Sequence, residues 1–143
     1  MRYLAIDHGA RRIGLAICDA QETIASPLGV LDGRTDVLAR IAEIVQTQGV
    51  GAIVMGLPLN MDGSEGPQAA KARAFAEQVG RRVGLPVHFQ DERLSSFEAE
   101  DKLGSAGLSG ARKRDLLDAV AAAEILRSFL EERAPREGRQ EPP

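Results

Sequence analysis

Two uninterrupted apolar runs, Tyr3–Ile6 and Ile13–Cys18, are the feature that most constrains how this chain can fold. Neither alternates with polar residues, so both read as strands buried on both faces rather than as strands with one wet side. Asp7-His8-Gly9 stops the first run and supplies a turn. A chain that opens this way needs covering layers on both sides of a sheet.

The following segments supply them. Thr23–Leu31 is a third extended stretch closed by Asp32-Gly33, and Thr35 or Asp36 can cap a helix over about 36–48 with Val37, Leu38, Ile41, Ile44 and Val45 on one stripe. Gly49-Val50-Gly51 breaks it. Ala52–Met55 then reads as a buried strand running into a glycine- and proline-rich loop over 56–66, followed by a helix over about 65–83. Pro86–Gln90 is a further short strand ending at Asp91-Glu92-Arg93. A short helix near 96–103, a Gly/Ser-rich connector over 104–110 and a long helix over 111–133 complete the pattern.

The order β-β-β-α-β-α-β-α-α predicts an α/β fold: a meander, then right-handed crossovers, giving a mixed sheet flanked by helices. Residues 1–133 are expected to form one domain. The segment 134–143, APREGRQEPP, is charged, proline-rich and poor in apolar residues, and is expected to be a disordered tail.

Composition narrows the chemistry. Tyr and Phe make up 3% of the chain and Trp is absent, which argues against a base-stacking platform. With one cysteine, Cys18, and two histidines, His8 and His88, no four-ligand zinc site can form, so any metal must be held by carboxylates. Cys18 reads as a small buried hydrophobe. No signal-peptide pattern or membrane-length apolar run occurs, so a soluble cytoplasmic protein without a membrane partner is expected. The net charge of −3 does not favour phosphate binding, but the basic residues are clustered: Arg11-Arg12, Lys71 with Arg73, Arg81-Arg82 and Arg112-Lys113-Arg114.

Acidic residues sit at three strategic places. Asp7 ends the first buried strand, Asp91 and Glu92 end the last, and Asp118 lies on the apolar side of the long helix with Ala122, Ile125 and Phe129. Sites in parallel sheets form beyond the carboxyl ends of the strands, where Asp7 and Asp91/Glu92 can converge if their strands are neighbours. A carboxylate facing a sheet is costly unless a cation or several donors satisfy it. Three such acids suit Mg²⁺ or Mn²⁺, a pair of which can hold a phosphodiester and activate water. Arg11, Arg12, Arg93, Lys113 and Arg114 would then position phosphates at the rim, and Asn60 would be the polar contact of a mobile loop over 56–66. Each feature also has a plainer reading: Asp7 as a turn former, Asp118 as part of an Asp115-Leu-Leu-Asp118 cap, Glu92-Arg93 as a surface pair, His8 as a turn residue.

Taken together, Ala5-Ile6-Asp7-His8-Gly9 with Arg12-Ile13-Gly14-Leu15-Ala16, Gly56-Leu57-Pro58-Leu59-Asn60-Met61-Asp62-Gly63-Ser64, Asp91-Glu92-Arg93-Leu94-Ser95, and Lys113 with Asp118-Ala119-Val120-Ala121-Ala122 resemble the YqgF/RuvX family in order and spacing. The resemblance spans residues 1–130. It implies a ribonuclease H-like fold with a five-stranded sheet whose first three strands are antiparallel. It further implies a divalent-metal nuclease with Asp7, Glu92 and Asp118 as catalytic acids and metal ligands, Glu92 being preferred to Asp91. The expected partner is nucleic acid, either branched DNA as for a Holliday junction resolvase or structured precursor rRNA as for a pre-16S rRNA nuclease, with the protein acting as a monomer or homodimer. Two other readings compete. An actin- or sugar-kinase-type ATPase shares the opening strand and hairpin but needs two such domains. A noncatalytic nucleic-acid-binding or ribosome-assembly factor would keep the fold and leave the acids incidental.

Overall fold

The computed structural model describes residues 1–93 and 110–140. The first two apolar runs form β1 (Arg2–His8) and β2 (Arg12–Cys18), paired antiparallel with Asp7 opposite Gly14. β3 (Ala25–Asp32) pairs antiparallel with β2 and is an edge strand. That position tolerates Pro27, which has no N–H to give to a ladder, and the register shifts there between Leu15 and Ala16. Helix α1 (Val37–Gln48) is capped by Asp36, whose side chain accepts from Ala39 N at 3.2 Å. It leads into β4 (Val50–Leu57), and α2 (Pro67–Val83) leads on to β5 (Val87–Asp91). Each of these connections crosses a sheet face, so β4 lies parallel to β1 and β5 parallel to β4. The sheet order is β3-β2-β1-β4-β5. The expected α/β architecture, with an antiparallel meander and a parallel half, is the one observed.

Helix α3 (Gly110–Gln140) covers one face of this sheet. The helix continues beyond 133, where a disordered tail was expected to begin. Arg, Glu and Gln favour helix, and here they outweigh the breaking tendency of Pro135 and Gly138 as far as Gln140. The expected helix near 96–103 and most of the connector before α3 lie outside the described residues, as do residues 141–143.

The two faces have different cores. Leu4, Ile6, Ile53 and Met55 point to α1 and α2, where they meet Ile41, Ala76 and Val79. Tyr3, Ala5, Ala16, Ala52 and Val54 point to α3 and pack on Ala122, Ile125, Leu126 and Phe129. Small side chains dominate the sheet's α3 face, so this helix can come close to the strands. At Gly14 the approach is closest: a Cβ there would stand 2.6 Å from the Asp118 carbonyl carbon. A glycine inside a buried strand commonly marks such a backbone approach.

Candidate active site

Strand alternation carries the acids to one place. On β1, Tyr3 and Ala5 face α3, so Asp7 faces it too. On β5, His88 meets Tyr3 and Phe129, and Gln90 donates to Glu132 Oε1 at 3.1 Å, both on the α3 side. Glu92, one residue past the strand, continues this alternation and remains tied to β4 through its N–H to Leu57 O at 3.2 Å. Between β1 and β5 lies β4, whose residue at that level is Gly56. A Cβ on Gly56 would collide with Glu92 Oε2 and stand 2.8 Å from Ile125 Cδ1. The missing side chain is what lets Glu92 reach across β4 to hydrogen-bond with Asp7.

The third acid comes from α3. Because the helix begins at Gly110, Asp118 lies two turns inside it and is not a cap. The close contact at Gly14 sets its backbone against β2, beside the Asp7 pair, and the charge of Asp118 is felt at Asp7.

The electrostatics are those of anions crowded out of water. Burial, and secondarily Asp118, push the Asp7 carboxyl up to about 6 despite the hydrogen bond from Glu92. Burial and the Asp7 charge push Glu92 up to about 8. Glu92 Oε2 is buried without a hydrogen-bond partner among the described residues. Asp118 is also raised, chiefly by burial, with Arg12 opposing. Arg12 Nε lies 2.8 Å from Asp118 Oδ2, and Arg12 Nη1 lies 3.9 Å from Asp115. Among the described residues, no three His, Cys, Asp or Glu side chains already form a group poised to hold an ion. Asp118 is turned to Arg12 instead.

The other expected contacts separate into two groups. Arg11, Arg12 and Arg114 line one cavity beside Asp118. Arg93 pairs with Asp91 at 2.7 Å and donates to Met61 O at 3.1 Å, so it pins the loop after β4. In that loop Asn60 donates to Ser64 Oγ at 3.0 Å, and Leu59 bridges Glu65, giving a turn bonded to itself. Lys113 is half-buried near the start of α3. Asp91 points away from Glu92, toward Arg93, as alternation requires. His8 faces the opposite side of the sheet from Asp7 and stacks on Phe75 with ring centroids 4.5 Å apart. Sequence reasoning quoted Gly14 and Gly56 within motifs but gave neither a role in seating the acids. The two glycines interrupt otherwise apolar buried strands, which is a readable signal.

A family model described as RuvX: Holliday junction resolvase matches residues 1–132. The chain belongs to the RuvX family. Relatives of this family span almost its whole length. It is 51% identical over 135 residues to a protein of Anaeromyxobacter sp. (strain Fw109-5) named "Putative pre-16S rRNA nuclease", covering 93% of this chain and 98% of that one. A protein of the same name from Pelotomaculum thermopropionicum is 45% identical, covering 92% and 87%. In structure the chain is similar to Thermus thermophilus RuvC in complex with Holliday junction substrate, with a TM-score of 0.59 at 19% identity and coverage of 94% and 96%. It is also similar to the fowlpox virus Holliday junction resolvase, with a TM-score of 0.56 at 13% identity and coverage of 92% and 99%. The fold is thus ribonuclease H-like, as the sequence motifs imply.

Proposed function

We propose that this protein is a divalent-metal-dependent endonuclease that hydrolyses nucleic-acid phosphodiester bonds, with Asp7, Glu92 and Asp118 as its catalytic acids. The observation that carries the reading is the seating of Glu92 against Asp7 over Gly56, with a buried, unpartnered Glu92 oxygen and both carboxyls held far above their usual range. A protein gains nothing in stability from forcing acids together in this way, so the arrangement argues for a cation. The donors are all carboxylate oxygens, the set that suits Mg²⁺ or Mn²⁺. Bound there, such an ion would supply an activated water and charge neutralisation at the phosphate.

The chain's own side chains account for the rest. With an ion held there, Asp7 and Glu92 would bind it as carboxylates, their proton passing to solvent. Asp118 would join them by leaving Arg12, whose guanidinium would then be free for a phosphate oxygen. Arg11 and Arg114 position the strand, while Asn60, Arg93 and Lys113 are the remaining contacts we assign to nucleic acid.

The names of the relatives at about half identity favour pre-16S rRNA as substrate, cut on our reading at its 5′ end; the family description favours a Holliday junction. Labelled four-way DNA junctions and structured precursor rRNA, incubated with Mn²⁺, Mg²⁺ or EDTA, separate the two. A resolvase would need a homodimer to make paired cuts, whereas a monomer suffices for one RNA site. The Arg12–Asp118 ion pair favours one second reading, a noncatalytic nucleic-acid-binding or ribosome-assembly factor, in which that pair is permanent. Metal-independent binding with no cleavage of either substrate would decide for it.

A further inference from the structure

A cavity of about 590 Å³ opens beside the acid cluster and is lined by Arg11, Arg12, Arg34 and Arg114 with Asp32 and Asp115. Three separate stretches of chain bring these residues together. Arg12 is the register partner of Asp32, and Gly33 N donates to Arg11 O at 2.6 Å, which fixes the turn bearing Arg34 against the start of β2. Arg114 and Asp115 arrive on the second turn of α3. Four guanidiniums therefore face two carboxylates.

The guanidiniums are unequally engaged. Arg34 chelates Asp32, with Nε to Oδ1 at 3.1 Å and Nη2 to Oδ2 at 2.8 Å. Arg12 is held by Asp118 and, more loosely, Asp115. Arg11 and Arg114 have no ion pair among the described residues. Two planar cations without acidic partners, in one concave site with two more on its wall, match a phosphodiester, which takes paired N–H donors. Arg12 touches both this cavity and the acid cluster, so the cavity adjoins the cluster without coinciding with it.

We infer that this cavity binds a second backbone phosphate of the nucleic-acid strand, one removed from the scissile phosphate, and that Arg34 is one of its ligands. The inference rests on the nuclease reading only for the word scissile; the phosphate site itself does not require cleavage. Asp32 acts as a built-in competitor for Arg34. It keeps the guanidinium oriented before the strand arrives and weakens binding by occupying it.

The test is fluorescence anisotropy of a labelled duplex and a labelled single strand in EDTA, titrated from 50 to 200 mM salt. The proteins are wild type, Arg34→Gln, Asp32→Asn and, as a distant control on α2, Arg81→Gln. Loss of one phosphate contact lowers the duplex salt slope by about 0.9, or roughly eightfold in affinity at 0.1 M salt. Arg34→Gln is expected to show that loss, Arg81→Gln none. Asp32→Asn keeps the oxygen that accepts from Arg34 N, frees the guanidinium charge, and is expected to bind several-fold more tightly. A gain of binding cannot come from misfolding. Unchanged affinity and salt slope in both Arg34→Gln and Asp32→Asn would overturn the inference, as would displacement of the strand by an equimolar 5′-mononucleotide. Because binding is read in EDTA, a protein that binds this way yet never cleaves would sink the nuclease reading alone.

Discussion

Gly14→Ala should cost both stability and activity, because the added methyl has nowhere to go. Its carbon would stand 2.6 Å from the Asp118 carbonyl carbon and closer still to the carbonyl oxygen, all of it backbone. Carbon atoms pack best at about 3.5–4.0 Å, so α3 must move off β2 by roughly 1 Å. A gap of that size removes a quarter to a half of the dispersion energy of the contacts it opens, and here these include Ala122, Ile125 and Leu126 against the sheet. Overfilling of this kind costs about 1–3 kcal/mol. For a chain of this length that lowers Tm by roughly 3–10 °C. The same movement carries Asp118 away from Asp7, and a 1 Å misplacement at a catalytic centre can cost about 100-fold in rate. Thermal melts and cleavage assays on Gly14→Ala should show both losses. Gly29→Ala, on the same sheet with nothing within 4 Å of the new methyl, is the matched control and should stay within about 0.5 kcal/mol of wild type. Wild-type melting and cleavage by Gly14→Ala would refute the reasoning, since α3 could not then lie where the site needs it.

Three further outcomes follow from the same geometry. Gly56→Ala meets the movable ends of Glu92 and Ile125 rather than backbone, so it should lower Tm by less than Gly14→Ala yet abolish most metal-dependent cleavage by unseating Glu92. Equal losses in both variants would contradict this. In EDTA, Asp7 and Glu92 hold protons in the folded state that the unfolded chain releases near pH 4, so their contribution to stability should fall as pH rises through about 6 and about 8. Bound ions compete with those protons, so the rise in Tm on adding Mn²⁺ should grow from pH 5.5 to pH 8; a shift independent of pH would count against metal at these carboxyls. Arg12→Gln removes the cation that holds Asp118. It should tighten Mn²⁺ binding by calorimetry while weakening nucleic-acid binding, and weaker Mn²⁺ binding would show that Arg12 orders the site instead of competing for it.

Most of the architecture was legible because apolar pattern determines it. The unbroken runs at Tyr3–Ile6 and Ile13–Cys18 read as doubly covered strands, and alternation said that only one of Asp91 and Glu92 could face Asp7; the choice of Glu92 came from the family resemblance. What stayed hidden depends on contacts between distant segments. Nothing local to Asp118 says that Arg12 holds it, because that pair exists only when α3 lies across β2. Arg34 carried no signal in the sequence, because it shares a cavity with Arg11 only once β3 is paired with β2. Gly14 and Gly56 were readable in principle as small residues in buried strands, but what they make room for comes from α3 and from beyond β5. The tail over 134–143 was expected from its charge, prolines and lack of apolar residues, a reading that left out how well Arg, Glu and Gln extend a helix.

The most direct test of the account is Mn²⁺ binding and cleavage measured together on wild type and Asp7→Asn. The substitution keeps the shape of the side chain and deletes the charge at the centre of the acid cluster. Expected are a folded variant that melts at or above wild type in EDTA at neutral pH, since a crowding charge is gone, at least tenfold weaker Mn²⁺ binding, on the order of the loss seen when metal-site partners are removed, and no cleavage of precursor rRNA or four-way junctions. A folded Asp7→Asn that binds Mn²⁺ and cuts like wild type would contradict it.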